Sequence, residues 1–405
     1  MSKLYEKFMR PLLFRFPTEQ AHEFGIEALK LSLKSKAARD FAAEKFACDE
    51  FGALERFGLT FKNPLGVAAG FDKNGVAVNQ LAALGFGFVE VGTVTFHAQT
   101  GNEKPRLFRL PEDEALVNRL GFNNDGAPKI IERLKKINPM CVLGVNIGRN
   151  KSVANDDAIE NYLQSFDLAH SVADYVAVNV SSPNTPNLRE LQKAENLEEL
   201  LGALQTRNAL LTSKWNAVIL TALSGERREN YARRQAGQKP DDSFASGARR
   251  RQNDGVPLLV KIAPDLDEIE IEAIVDICLR LKISGIIATN TTTNRANLKT
   301  NKREIERIGA GGLSGKPVKN RSTEVVRMIY KFSKGKLPVV GVGGIFDAED
   351  AFEKIISGAS LLQSYTGFVY QGFTFARDIN VGLWRILREK GFKHLDEAIG
   401  ADVKI

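Results

Sequence analysis

The segment Asn179–Asn187 holds the densest group of side chains that could take part in chemistry. It reads NVSSPNTPN and places two serines, Ser181 and Ser182, among three asparagines. Its two prolines restrict the backbone, because the pyrrolidine ring fixes φ, and they stiffen the loop that presents these groups. A stiff loop of hydroxyls and amides predicts a site for a polar ligand.

Two common kinds of chemistry are poorly supported by the sequence. A nucleophilic serine needs a neighbouring base, and no histidine lies near Ser182 in the chain. No group of His, Asp and Glu has the spacing of metal ligands, so we expect no metal site. None of the four histidines shows the pattern of a catalytic triad: His22, His97, His170 and His394.

Two lysines are candidates for holding negative charge. Lys261 is the sole charged residue of the apolar run LLVKIA, and Lys73 follows another apolar run in GFDK. If Lys261 faces the mouth of a barrel, it can stabilise negative charge on a reduced cofactor ring or an enolate. If it faces a helix instead, it forms a structural salt bridge. Lys73 is similarly placed to hold an anion.

Two loops that contain glycine are typical of a phosphate site. Gly341–Ile345 reads GVGGI and leads into a helix near Asp347, and Tyr365–Gly367 follows the next apolar run. Glycine lets backbone amides approach an anion closely, and loops at these two places form the phosphate cradle of many barrels. We therefore expect a cofactor or substrate that carries phosphate.

Several asparagines fall at the ends of apolar runs or in the loops after them. One asparagine in a loop is usually a turn residue. Five around one rim favour a planar, amide-rich ligand whose donors and acceptors are matched in pairs. These residues are Asn118, Asn146, Asn179, Asn184 and Asn290.

These candidates need a fold that gathers distant loops, and the apolar pattern supplies one. Eight short apolar runs recur, and each but the last is followed by a stretch compatible with a helix. This alternation predicts a buried parallel sheet, and eight units favour a single (β/α)8 barrel with its site at the C-terminal strand ends. The runs are Leu65–Gly70, Phe88–Thr93, Cys141–Gly148, Tyr175–Ser181, Leu258–Ala263, Gly285–Thr291, Leu337–Gly344 and Leu361–Gly367.

Residues 1–47 precede the barrel and predict two short amphipathic helices, separated by Pro17 and Thr18 as turn and cap. Within residues 1–36, seven Lys and Arg against four Glu leave a net charge of +3. We expect this extension either to pack on the barrel as a lid or to lie at a membrane surface. The barrel is then expected over residues 48–405.

The charge of the chain limits its partners. A net charge of +7 and a pI of about 9.1 are compatible with nucleic acid, an anionic membrane or an anionic small molecule. No zinc spacing, recognition helix or aromatic RNA motif accompanies the charge, so we expect no nucleic acid. The Arg-rich segment Ser224–Asp254 predicts a flexible surface insertion, which could touch acidic lipid or RNA but is more typical of a solvated loop.

Taken together, the motifs resemble those of the class 2 dihydroorotate dehydrogenases, the membrane-associated, quinone-reducing class of that family. Order and spacing agree from about Leu59 to Gly372, with the Arg-rich insertion as the one large gap, and the extension with PTEQAHEF is similar too. The motifs that carry the resemblance are PLGVAAGFDKNG, GFGFVEVGTVT, GNEKPRLFRL, NRLGFNNDG, GVNIG, VNVSSPNTPNLR, LLVKIAPDL, IIATNTT, GGLSGKP, VVGVGGI and ASLLQSYTG.

The resemblance implies two adjoining ligand sites. FMN is expected at Ala69, Gly70, Lys73, Thr93, Asn146, Asn179, Lys261, Thr289, Gly315, Gly344, Tyr365 and Thr366. Dihydroorotate or orotate is expected at Lys73, Asn118, Arg119, Leu120, Gly121, Phe122, Asn179, Asn184, Asn290 and Thr291.

The resemblance also implies the reaction, the oxidation of (S)-dihydroorotate to orotate in de novo pyrimidine (UMP) biosynthesis. Ser182 matches the family's catalytic base, where the soluble class carries cysteine, and a hydride passes to the flavin. A membrane quinone reoxidises it, with His22, Arg106 and Tyr365 on the quinone side. The implied location is peripheral, on the cytoplasmic face of the inner (cell) membrane in contact with anionic lipid.

Two features depart from the family's pattern. The insertion has no counterpart there, and Phe96 and His97 stand where a proline and a basic residue are usual, close to Arg106. Two alternatives remain. Another FMN barrel, such as a 2-hydroxy-acid oxidase, would require a histidine and arginines at the strand ends. A degenerate barrel could instead serve as a membrane or RNA adaptor.

Overall fold

Eight parallel strands close into one barrel, as the apolar pattern predicts. The computed structural model describes residues 5–222 and 255–404, with the backbone alone for residues 215–222. Each strand pairs with the next in the chain, and the eighth pairs with the first. The strands are β1 Leu65–Val67, β2 Phe88–Val94, β3 Val142–Ile147, β4 Tyr175–Asn179, β5 Leu258–Ile262, β6 Gly285–Ala288, β7 Val339–Val342 and β8 Ala359–Ser364.

The barrel strands are apolar along most of their length because both of their faces are covered. All seven residues of β2 are buried, as are all five of β4 and all five of β5. One face of each strand points into the barrel and the other packs against the outer helices. The polar residues of the predicted runs lie in the last residues of the strands, as Asn179 does in β4, or in the loops that follow at the barrel mouth.

A helix follows each strand and completes the outer layer. Two of these helices begin with a capping box, formed by Asp267 with Glu270 and by Asp347 with Asp350, which satisfies amides of the first turn. The second of these confirms the helix expected near Asp347. The helices are α1 Val78–Ala83, α2 Ala127–Lys135, α3 Ala158–Ala169, α4 Ala194–Ala222, α5 Glu268–Arg280, α6 Lys319–Phe332, α7 Ala348–Ile356 and α8 Phe375–Glu389.

Part of the long chain segment between the second and third apolar runs forms a small antiparallel sheet. Its central strand is Ala115–Asn118, which pairs with Leu107–Leu110 on one side and Gly312–Gly315 on the other. The first two strands lie between β2 and β3 in the chain, and the third lies between β6 and β7. The sheet thereby joins two distant loops of the barrel. Other short elements are Lys302–Ile308, Thr366–Gln371 and Leu395–Ala398.

The lower barrel interior is filled by aromatic rings. Phe61, from the hairpin Leu54–Arg56 and Leu59–Phe61, contacts Phe88 with ring centroids 5.3 Å apart, and Phe88 lies 6.4 Å from Tyr175. Gly144 leaves room for these rings, since a Cβ there would lie 2.2 Å from Tyr175. Large and small residues thus alternate to fill the barrel.

The N-terminal extension differs from the prediction. After a π-helical turn at Tyr5–Met9 and a short helix at Arg10–Leu13, the main helix is Thr18–Ser32, and a further helix, Lys36–Phe46, was not predicted. Pro17 is the N-cap residue of the main helix, and no side chain caps it, so Thr18 does not act as the expected cap.

The extension packs on the barrel. Ile26, Ala42 and Phe46 are buried, and Tyr5 donates a hydrogen bond of 2.7 Å to the carbonyl of Val369. Among the described helices, none has the length and apolar character needed to cross a bilayer. The predicted insertion Ser224–Asp254 lies outside the described residues.

The barrel packing predicts opposite effects for two glycine-to-alanine changes. Gly144→Ala adds a methyl group against the ring of Tyr175 and should lower the free energy of unfolding by about 1–3 kcal/mol. Gly202→Ala is the matched control, because a Cβ there meets no atom within 4 Å and alanine favours the helix by about 0.5–1 kcal/mol. Denaturant unfolding measures both. Equal stability of the two variants would contradict the packing described here.

Candidate functional site

A polar cavity opens at the C-terminal ends of the barrel strands. The predicted catalytic residue Ser182 lines it and is 5% exposed. Most of the residues predicted for the two ligands also line this cavity: Ala69, Gly70, Lys73, Thr93, Asn118, Leu120, Gly121, Phe122, Asn179, Asn184, Lys261, Thr289, Asn290, Thr291, Gly315, Gly344, Tyr365 and Thr366.

A hydrogen-bond network fixes the amides on the cavity floor. Asn179 donates through Nδ2 to Thr93 Oγ1 at 2.9 Å, and Thr93 donates to Asn146 Oδ1 at 2.6 Å. Asn146 is fully buried behind these two residues and does not line the cavity. It therefore supports the predicted FMN site from below.

A second group of polar residues surrounds Ser182. The backbone N–H of Asn184 donates to Ser182 Oγ at 3.2 Å, and Asn184 Nδ2 donates to Asn118 Oδ1 at 3.0 Å. Asn290 Nδ2 donates to Ser181 Oγ at 2.9 Å. Hydrogen bonding to a hydroxyl oxygen favours its deprotonated form, so the Asn184 amide would stabilise negative charge on Ser182 Oγ.

Lys261 faces the barrel mouth, the first of its two predicted orientations, and forms a salt bridge there with a strand residue and not with a helix. Its side chain lines the cavity, and its Nζ lies 3.6 Å from Oε1 of Glu90, a carboxylate inside the barrel. The lysine is 5% exposed and the glutamate 0%. The salt bridge therefore lies within the barrel and directly below the cavity, where a cation can interact with a ligand.

Lys73 and its neighbours connect the cavity to the extension. Burial lowers the pKa of Lys73 to about 8, opposed by Glu19 and assisted by Arg106. Burial also acts to raise the pKa of Glu19, but hydrogen bonds and charge from Arg106 hold it below its ordinary value. Arg106 donates through Nη2 to Glu19 at 2.8 Å, which ties the extension to the barrel. A bound carboxylate or phosphate would favour protonated Lys73.

The loops after β7 and β8 lie at the cavity wall, where the phosphate cradle is expected. Gly343 and Gly344 line the cavity with φ of +119° and +72°, and a Cβ on Gly344 would lie 2.4 Å from Lys319 at the start of α6. Only glycine permits this close approach of the loop to a helix N-terminus. On the facing wall, the hydroxyls of Ser314 and Thr366 lie 2.8 Å apart.

The cavity fits FMN in its donor and acceptor groups. Gln363 is fully buried and lines the cavity, and its Oε1 has no hydrogen-bond partner among the described residues. An unpaired buried acceptor of this kind is matched by the donor N–H of a flavin ring. Lys261 would add a donor for a ring carbonyl, and the glycine loop would provide amides for the phosphate.

A second cavity of about 810 Å³ lies between the extension helices and the barrel, and its lining is mainly apolar. Three residues belong to the walls of both cavities: Leu107, Leu116 and Tyr365. His22 lines the second cavity with its ring stacked on Tyr365, at 6.4 Å between centroids. Burial, with the charge of Lys73, lowers the pKa of His22 to about 4, so the ring is neutral at physiological pH.

Two arginines that were predicted to contact ligands, Arg119 and Arg106, lie away from the cavities. Arg119 points to the carbonyl of Ala310 and stacks on Phe108, so at most its backbone is near the ligand site. Arg106 lines neither cavity. The arginine that does line the apolar cavity is Arg109, whose guanidinium lies 4.5 Å from the ring centroid of Phe14.

Sequence reasoning missed several residues of the site region, among them Glu90, Arg109, Ser314 and Gln363. Glu90 carried a usable signal, because it is a lone charge in an apolar strand, as Lys261 is. Gln363 is likewise the one side-chain amide within β8, whose other polar residues are serines. In the described part of the chain, no cluster of three or more His, Cys, Asp and Glu residues is arranged for a metal ion.

Comparison with known proteins agrees with this geometry. The family model for dihydroorotate dehydrogenase matches residues 53–387. A "Dihydroorotate dehydrogenase (quinone)" of Christiangramia forsetii is 44% identical over 93% of this chain and 98% of its own length. A protein of the same name from Gloeobacter violaceus is 44% identical over 97% of this chain and 98% of its own.

Solved structures show the same fold. A crystal structure of the enzyme from Eimeria tenella in complex with ferulenol has a TM-score of 0.73 and 36% identity, and covers 91% of this chain and 95% of that one. A ligand-free structure from the same organism also has a TM-score of 0.73, at 35% identity. The chain belongs to the dihydroorotate dehydrogenase family, in its quinone-dependent class.

Proposed function

We propose that the protein oxidises (S)-dihydroorotate to orotate with FMN and passes the electrons to a membrane quinone, as a step of de novo pyrimidine (UMP) synthesis. The observation that carries the proposal is the pair of adjoining cavities, one polar and one apolar, with Tyr365 in the wall of both. A cofactor in the first cavity can exchange electrons with a polar substrate on one side and an apolar acceptor on the other.

The polar cavity suits a small, planar anion that carries amide groups. Lys73 supplies a cation for its carboxylate, and the amides of Asn118, Asn184 and Asn290 supply matched donors and acceptors. Ser182 in its deprotonated form is the base that takes the proton from the carbon beside the ring carbonyl, and it returns to that form by releasing a proton to solvent between turnovers. The residues of the cavity floor would hold FMN, which would supply the acceptor for the hydride from the neighbouring carbon.

A serine hydroxyl gives up its own proton with difficulty, so the surrounding groups must stabilise its deprotonated form. The Asn184 amide stabilises negative charge on Ser182 Oγ, and Lys261 stabilises charge that develops at the cavity floor. Ser182 is almost completely buried, which excludes bulk water and strengthens both interactions.

The apolar cavity suits a quinone with a hydrocarbon tail. His22, Tyr365 and Arg109 provide polar groups for the head, and the extension helices provide the apolar walls. Arg109 takes this role in place of Arg106, which is occupied by its ion pair with Glu19. The side chains of Leu107 and Leu116 lie in the wall between the two cavities and would separate the quinone head from the polar cavity.

The outer surface of the extension supports contact with a membrane. Leu12, Phe24 and Phe41 line the apolar cavity and are also exposed, at 57%, 65% and 68%, so the cavity opens between them. Lys7 and Arg15 are exposed on the same extension. Apolar side chains with adjacent cations are typical of a peripheral protein on anionic lipid, here on the cytoplasmic face of the inner membrane.

Ser182→Ala should slow reduction of the bound flavin by dihydroorotate by about 10²–10⁴, because the reaction loses its positioned base. FMN content should stay normal, since Ser182 forms one side of the cavity but none of the phosphate cradle. Stopped-flow absorbance measures the rate, with Ser171→Ala on the exposed end of α3 as the control. A normal rate in Ser182→Ala would assign the base to another group.

Gly25→Phe should block the quinone half of the reaction alone. Gly25 lines the apolar cavity with open space around its Cα, so a phenyl ring there occupies the path of the tail. Turnover with a long-tailed quinone should fall at least tenfold, a barrier increase of about 1.4 kcal/mol. Flavin reduction by dihydroorotate should not change.

Leu31→Phe is the matched control for this experiment. Leu31 belongs to the same helix, is 76% exposed and does not line the apolar cavity. It should reduce quinone at the rate of the unmodified protein. Equal quinone turnover by the Gly25 and Leu31 variants would show that the electron acceptor enters elsewhere.

A further inference from the structure

We propose that Glu90 is a positioning residue for the FMN cavity. It fixes which amide atoms at the cavity floor donate hydrogen bonds and which accept them, and it sets how strongly Lys261 attracts negative charge on the flavin ring. The inference rests on the proposed function, because it assigns a role toward the same cofactor. Glu90 does not line the cavity and therefore acts through the residues that do.

Glu90 lies at the centre of the barrel with every hydrogen bond directed toward it. Its Oε1 accepts from Asn146 Nδ2 at 2.9 Å, and its Oε2 accepts from Tyr175 OH at 3.0 Å and from Gln363 Nε2 at 2.8 Å. Burial, with the charge of Glu90, raises the pKa of Tyr175, so this phenol remains a donor. These three hydrogen-bond donors lie on β3, β4 and β8, and the cation Lys261 lies on β5.

A carboxylate can only accept hydrogen bonds, and this property orients two amides. Because Asn146 turns its Nδ2 toward Glu90, its Oδ1 faces Thr93 and Asn179 at the cavity floor. Gln363 turns its Nε2 toward Glu90 in the same way, which leaves its Oε1 as the unpaired acceptor described above. Glu90 therefore determines which amide oxygens are presented on the cofactor side.

The charge of Glu90 acts on Lys261. Both groups are buried, and the 3.6 Å separation from Nζ to Oε1 makes them a neutral pair inside the barrel. Removal of one charge leaves the other uncompensated in a medium of low polarity. Without Glu90, the full charge of Lys261 would favour the form of a bound cofactor that carries more negative charge.

The test is the midpoint potential of the bound flavin in Glu90→Gln, measured against reference dyes with a chemical reductant. We expect the potential to become more positive and the FMN dissociation constant to rise, because glutamine removes the charge and allows the amides to turn over. Tyr175→Phe is the control, since it removes one hydrogen bond to Glu90 without changing the charge. Its potential should stay close to that of the unmodified protein.

A second variant keeps the test decisive if Glu90→Gln does not fold. Glu90→Gln combined with Lys261→Met removes both charges and should restore a folded protein whose flavin potential lies below that of the unmodified protein, because the cation that lines the cavity is gone. An unchanged potential in Glu90→Gln, or in the double variant where the single variant does not fold, would overturn the inference. Failure of the double variant to fold, or a loss of FMN that Lys261→Met alone does not show, would overturn it as well, because the carboxylate would then serve packing alone.

These outcomes are independent of the proposed reaction. The potential is measured with a chemical reductant and requires no dihydroorotate. If the unmodified protein holds FMN but is not reduced by dihydroorotate, the proposed function fails while the role of Glu90 is still tested. If dihydroorotate does reduce it and Glu90→Gln has a normal potential, only the inference fails.

Discussion

The closed barrel imposes the constraint on which the site depends: polar groups inside it have no solvent and must satisfy one another. Aromatic rings fill the lower interior, where Phe61, Phe88 and Tyr175 pack edge to face. Above them, Glu90 collects three hydrogen bonds and one cation. Only the uppermost polar groups remain available, and they are the ones that a cofactor can contact. Along the barrel axis, the side chains of the interior thus change from apolar at the lower end to polar at the mouth, where a ligand can reach them.

The extension adds to the barrel an apolar compartment that the barrel alone does not have. Its main helix is tied down by the Glu19–Arg106 ion pair, close to Lys73 in the polar cavity. The same helix carries His22 and Gly25 into the apolar cavity. Under the proposed function, substrate binding and acceptor access would therefore depend on neighbouring contacts. Tyr365 lies in the wall between the polar cavity and the apolar one.

Periodicity predicted the eight strands, and strand-end residues predicted polar members of the cavity lining such as Lys73, Asn179 and Asn290, because side chains at C-terminal strand ends must meet at one rim. Other members, such as Ala69 and Thr93, followed from the family resemblance. The sequence did not predict the direction in which each side chain points. Arg106 and Arg109 are three residues apart beside an extended strand, so they point to opposite sides, and only the structure shows that Arg109 reaches the apolar cavity. The helix Lys36–Phe46 was missed because much of its surface stays exposed. The sheet at the barrel mouth pairs strands about 200 residues apart, which no local pattern reveals.

The central claim is that one bound flavin connects the two cavities, and an anaerobic absorbance titration of the purified full-length protein tests it most directly. The protein should be yellow, lose its flavin absorbance on addition of dihydroorotate, and regain it when a quinone is added in the absence of oxygen. A colourless protein, or a flavin that dihydroorotate fails to reduce, would contradict the account of the polar cavity. A flavin that is reduced but not reoxidised by quinone would contradict the account of the apolar one.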